Sequence, residues 1–237
     1  MPLTAHEEAP RGRPGRLPGL YQPLSTSVCC AVCRGALRPG YSRCYQCTQH
    51  QLLGEGLLAD VVAPVSYALR GTGFAVALGR YKSGDWHAAE SLRALLLAFL
   101  NDHGPCVWRH AGMPEPGRLA IVPSGCGRPG THPLSRLVMA RLGLPLVPLG
   151  IRHGEQGRDL NTGRFVAGPV HGADVLLLDD TWVSGASAQS ASVALKRAGA
   201  ARVAVVVLGR HLNPAEPRSA ALATEPYKPG VCVFQAQ

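Results

Sequence analysis

Two carboxylates stand side by side at Asp179 and Asp180, directly after the apolar run Val175-Leu-Leu-Leu178 and directly before Thr181-Trp-Val-Ser-Gly-Ala-Ser187. Acids at the C-terminal edge of a buried strand sit where open α/β sheets bind ligands. There they accept hydrogen bonds from sugar hydroxyls or support a magnesium ion. Ser184, Gly185, Ala186 and Ser187 are small enough for backbone N–H groups to close around a phosphate, with the positive end of a following helix behind them. The alternative is that the acids merely cap or end a strand, which is commoner for a single acid than for a pair followed by a Ser/Gly turn. Trp182 either stacks on a ligand base or packs beneath the loop, and packing is the favoured expectation.

The second chemistry-bearing group is Cys30-Ala-Val-Cys33 and Cys44-Tyr-Gln-Cys47, with ten residues between the pairs. This is the spacing of a zinc ribbon or knuckle in which four thiolates close a tetrahedron. Gly35, Pro39 and Gly40 supply turns that bring two hairpin knuckles together, and Arg34, Arg38 and Arg43 offset thiolate charge. A pair of disulfides or inert thiols is the competing expectation. Four thiolates leave no open position for water, so the Zn2+ would be structural. Cys29 is an alternative ligand or a bystander, and Cys106, Cys126 and Cys232 are expected to be packed singletons.

Positioning these groups requires an alternation of strands and helices. Apolar runs at Val61–Tyr67, Leu119–Val122, Leu146–Leu149, Val175–Leu178 and Val203–Leu208 predict strands of a largely parallel sheet. Helices are expected over Gly73–Lys82, Pro133–Leu142 and Trp86–Asn101, the last with Asp85 as N-cap and Gly104 beyond its end. A further helix follows Ser187 and stops at Gly199. A short helix over Gln49–Leu58 links a small cysteine module, residues 29–58, to a main domain over 60–237. Residues 1–25, rich in Pro, Gly and Arg, predict a disordered tail. Residues 150–172 lack periodicity and predict a long loop of the size used for functional lids.

Composition narrows the classes. The chain has 237 residues and a formal charge of +9, which points to an anionic partner or to an arginine-rich codon bias, only three of its 24 basic residues being lysine. No apolar run reaches the roughly 20 residues that cross a bilayer. The first residues lack the basic and apolar regions of a secretory signal, so a cytoplasmic, thiol-reducing compartment is expected. Gly125-Cys-Gly-Arg-Pro-Gly130 has the form of a dinucleotide fingerprint, but Pro145–Gly150, about twenty residues on, carries no acid, and Pro129 spoils the turn into a helix. A Walker A motif is absent, and aromatic content of 5% is thin for a base-stacking groove.

Four apolar residues, two acids, two variable residues and a small-residue loop resemble the PRPP-binding signature of type I phosphoribosyltransferases. That resemblance implies that Asp179 and Asp180 bind the ribose hydroxyls of PRPP. Thr181, Val183, Ser184, Gly185, Ala186 and Ser187 would hold its 5′-phosphate, with Mg2+ on the pyrophosphate. Purine-salvage members carry a third acid where this chain has Val183, so 6-oxopurine salvage is not expected. The Cys-x-x-Cys pair, Tyr67-Ala-Leu-Arg-Gly71, Tyr81-Lys-Ser-Gly-Asp85 and Arg158-Asp-Leu-Asn-Thr-Gly-Arg-Phe165 together resemble the ComF family over about residues 29–208. The family's Val-Pro-Val-Pro and Arg-Gly-Phe-Asn-Gln pattern is rewritten here as Val122 to Leu134. Ser124, Gly125 and Arg128 are left as the expected pyrophosphate contacts.

By the same resemblance, closure of the long loop would bring Arg158 or Arg164 near the pyrophosphate, the competing expectation being a solvated basic loop. Three functions follow: a phosphoribosyltransferase acting on an unspecified nitrogen acceptor, a PRPP or nucleotide sensor that does not turn over, and a competence protein. The last would handle single-stranded DNA during uptake, beside helicase and recombination-mediator proteins.

Overall fold

The computed structural model describes residues 17–54, 56–124, 132–152 and 159–234, without the side chains of residues 136, 137, 139 and 140. Its centre is a parallel sheet of four strands, β1 (Val61–Leu69), β2 (Arg118–Ile121), β5 (Val175–Trp182) and β6 (Val203–Leu212), in the order β1-β6-β5-β2. These strands are near-continuous apolar runs because both faces of the sheet are covered. One face carries α2 (Gly73–Arg80) and α3 (Trp86–Ala111), which pack Phe74, Leu92, Leu96 and Phe99 against Val65, Leu176 and Leu208. The other carries α5 (Ala186–Arg197), whose Ala188, Ala191 and Leu195 pack against Leu177, Val205 and Val207. Pro64 is tolerated within β1 because β1 is an edge strand.

Several elements differ from expectation. The helix α3 runs ten residues past Asn101, through Gly104 and Pro105, to Ala111, and Gly112 with φ +70° is its true stop. Phe99, His103, Val107 and Ala111 continue its buried stripe, so packing overrides the local Gly-Pro break. The first helix, α1 (Tyr45–Leu53), begins immediately after Cys44 and ends at Gly54, so the second cysteine pair opens a helix instead of a knuckle. The run at Leu146 is reduced to a single parallel bridge with Leu119. The chain then forms an antiparallel hairpin, β3 (Leu149–Ile151) with β4 (Phe165–Ala167), inside the expected lid. The helix α4 (Pro133–Leu142) agrees with its expected bounds.

Residues 17–25, within the expected tail, are ordered, and the rest of it lies outside the described residues. Leu17 and Leu20 pack on the main core, and Tyr21 bridges both Tyr67 and Pro226. Among the described residues no helix is long and apolar enough to cross a membrane.

Candidate functional site

The strand β5 continues past Leu178 through the acids to Trp182, because its ladder with β6 extends to the pairs Asp179↔Val207, Thr181↔Gly209 and Trp182↔Arg210. Thr181 is therefore a strand residue, and the loop between strand and helix shrinks to Val183, Ser184 and Gly185. Gly185 has φ +85°, and a Cβ there would run into the Trp182 indole. The left-handed turn and the close approach together demand glycine. Ser184 Oγ accepts the Ala186 N–H at 3.3 Å, tightening the turn into α5. Trp182 is buried, as the packing expectation has it.

The two acids have different surroundings. Asp180 is buried and its carboxylate is fully engaged: Tyr81 donates its hydroxyl to Oδ2, and Lys82 Nζ lies 2.7 Å from Oδ1. Tyr81 and Lys82 sit on the 3₁₀ turn that follows α2, at the same sheet edge. Asp179 is half-buried, and Oδ1 accepts the Asp180 N–H at 2.8 Å. Burial, and then the neighbouring Asp180 charge, push its carboxyl up to about 8.

The described end of the long loop is docked on α5. Ser190 Oγ accepts the Asn161 N–H at 3.0 Å, and Arg197 donates to the Thr162 carbonyl at 2.7 Å. Arg164 is buried with its guanidinium 5.1 Å from the Phe165 ring centroid, and Nη1 donates to Ser187 Oγ at 3.2 Å. The positive end of α5 thus has a fixed arginine beside it. Ser124 leaves β2 next to the acids, since Ile121 pairs with Leu178 and the Val122 N–H reaches the Leu178 carbonyl at 2.9 Å. Arg158, Gly125, Arg128 and Cys126 lie outside the described residues.

The sulfurs of Cys30, Cys33, Cys44 and Cys47 all lie within 4.8 Å of one another. Zinc–sulfur bonds of about 2.3 Å place tetrahedral sulfurs about 3.8 Å apart. Cys33 and Cys44 are already 3.7 Å apart, so the donor set fits a structural divalent ion. Hydrogen bonds from Cys33, Cys44 and Cys47 pull the Cys30 thiol far below the usual range. Hydrogen bonds with Cys30, Cys33 and Cys44 push the Cys47 thiol far above it. Such crowding is what a cation relieves by replacing the protons. All four thiols are free of disulfides. Cys29 is excluded from the cluster: it is buried against Thr26 and the Tyr67 hydroxyl, at 3.6 and 3.8 Å.

Sequence reasoning missed Arg210. It lies at the end of β6 between the two sites, donating to carbonyls of the 182–183 turn and of Cys33. A lone cation closing an apolar strand that must pair with the Asp-Asp strand was the available signal. The chain matches no family model and no curated protein.

Proposed function

We propose that this chain is a phosphoribosyltransferase-like protein of the ComF type that binds magnesium PRPP or a related phosphoribosyl ligand. The observation that carries this reading is the joint placement of Asp179 and the Gly185 turn at one sheet edge, with Arg164 against Ser187. A phosphoribosyl group carries hydroxyls on one side of its ring and a phosphate at its end. It therefore needs a hydrogen-bond acceptor and an anion grip a short distance apart.

In this reading Asp179 takes the ribose hydroxyls, and Ser184 to Ser187 with Arg164 hold the 5′-phosphate. Tyr81 and Lys82 fix Asp180, and Lys82 adds positive charge near the pyrophosphate. Magnesium would neutralise the pyrophosphate. Transfer to a nitrogen acceptor passes through positive charge at C1 of the ribose, so these groups act by position and electrostatics without a covalent nucleophile.

Isothermal titration with magnesium PRPP tests the reading, using wild type, Asp179→Asn and Asp179→Asn/Asp180→Asn, with circular dichroism to check folding. Micromolar binding that is lost in folded Asp179→Asn is the expected result. No binding by wild type would sink the reading.

One observation favours a second reading, a competence protein that handles single-stranded DNA with helicase and recombination-mediator partners. A cleft of about 620 Å³ beside the cysteine module is lined by Arg38, Arg43 and Arg218, with Tyr41 and Tyr45 lining it too. Those tyrosines are 66% and 74% exposed, which leaves their rings open to stacking. That reading predicts oligonucleotide binding that falls steeply with salt and tolerates Asp179→Asn.

A further inference from the structure

Arg210 touches the cysteine cluster and the 182–187 turn with one guanidinium. Nε donates to the Cys33 carbonyl at 3.2 Å, and Nη2 lies 3.6 Å from Cys33 Sγ. Nη1 donates to the carbonyls of Trp182 at 3.2 Å, Val183 at 3.1 Å and His211 at 2.8 Å. The fit against the first knuckle is tight, since a Cβ on Gly35 would collide with Nη2.

The consequence for the turn follows from peptide geometry. In a trans peptide the C=O and N–H of one unit point in opposite directions. Holding the Trp182 and Val183 carbonyls therefore turns the N–H groups of Val183 and Ser184 away from the guanidinium. A divalent ion held by the four thiolates would pin Cys33, fixing its carbonyl against Nε and its sulfur beside Nη2. Without the ion nothing clamps Cys33 to the second cysteine pair, and both of its contacts with the guanidinium loosen. Only a planar fork with several fixed N–H donors can span the two groups, so lysine is no substitute.

We propose that Arg210 is a positioning residue that makes the order of the 182–187 turn, and with it the grip on phosphate, depend on metal in the cysteine site. The phosphate half of this inference rests on the phosphoribosyl reading above. The coupling half does not.

Hydrogen exchange of the full chain under reducing conditions tests it, comparing zinc-loaded with chelator-stripped protein for wild type, Arg210→Lys and Arg210→Gln. Zinc content is measured in parallel. Stripping wild type should speed exchange of the Val183–Ser187 amides at least tenfold while the amides of β5 and β6 stay protected. Zinc-loaded Arg210→Gln should show the same fast turn with its metal still bound, and stripping should add little. Arg210→Lys should resemble Arg210→Gln.

Slow turn exchange in zinc-loaded Arg210→Gln would overturn the coupling, and this arm decides even if stripping loosens the whole domain. An equal response to stripping in wild type and Arg210→Gln would overturn it too. Titration with inorganic phosphate and with magnesium PRPP completes the test, an affinity loss of tenfold or more being expected in zinc-loaded Arg210→Gln. If wild type binds neither probe, the phosphoribosyl reading fails, and the exchange data still judge the coupling.

Discussion

The Asp179 carboxyl is pushed up to about 8, by burial first and then by the neighbouring Asp180 carboxylate. In the unfolded chain the same group titrates near 4, so between about pH 4 and pH 8 the native state binds the extra proton. Folding stability from this group is therefore full below about 4 and declines as pH rises toward 8. Urea unfolding across that window should fall less steeply for Asp179→Asn than for wild type. Identical slopes would mean that Asp179 ionises normally in the fold. Gly185 permits an equally sharp substitution. Alanine there meets both the left-handed φ of +85° and the Trp182 ring, and should cost about 2–4 kcal/mol in denaturant unfolding, with loss of PRPP binding. Tyr67 is the residue that seals the cysteine module to the sheet, donating to the Arg34 carbonyl at 2.7 Å and accepting the Leu24 N–H at 3.1 Å. Tyr67→Phe strands both half-buried partners and should cost about 1–3 kcal/mol, while the ion stays bound. A chelator titration alongside the melt would separate the two effects.

At the scale of elements, α5 explains how the docked loop is held. Ala188, Ala191, Val193 and Leu195 are fully buried, and its serines face inward to tie down neighbours, Ser190 to Asn161 and Ser192 to the Leu57 carbonyl. Ala191→Leu should destabilise by about 1–3 kcal/mol, since no space exists for three more carbons. Ser190→Ala should instead cost about 1 kcal/mol and raise proteolysis selectively near Asn161. Unchanged cleavage there would show that the loop is held elsewhere. The strand–turn–helix–strand unit around the acids was legible in the sequence because apolar runs bounded by small residues fix it locally. The cysteine set was legible through spacing alone. The hairpin β3–β4 was not, because strands of three residues carry too few alternations to register. Nor was the run of β5 through Asp179, Asp180 and Thr181, since polar residues read as loop unless the partner strand is known. The contacts of Tyr81 and Lys82 with Asp180 stayed hidden for a related reason: they span 99 and 98 residues. Such pairings belong to topology and leave no local pattern.

For the whole molecule, the cysteine module is small enough that its ion should matter to global stability. A free metal concentration a thousandfold above Kd adds about 4 kcal/mol to the native state. In a domain of this size that corresponds to roughly 10 °C in Tm. Calorimetry with and without a zinc chelator, in reductant, should show a drop of that order, and Cys30→Ser should reproduce it without chelator. An unchanged Tm would leave the four thiols as a packing cluster. The sheet order has a different consequence. Within the sheet β1 bonds to β6 alone, and Gln22 reaches across to Glu225, Lys228 and Val231. On a ribosome, β1 must wait for β6, and its apolar stretch from Val61 to Leu69 stays without that partner until Val203–Leu212 is made. The nascent chain is thus a natural client for holding chaperones. Release of any product that stops short of residue 203 should yield aggregates in place of a partly working fold.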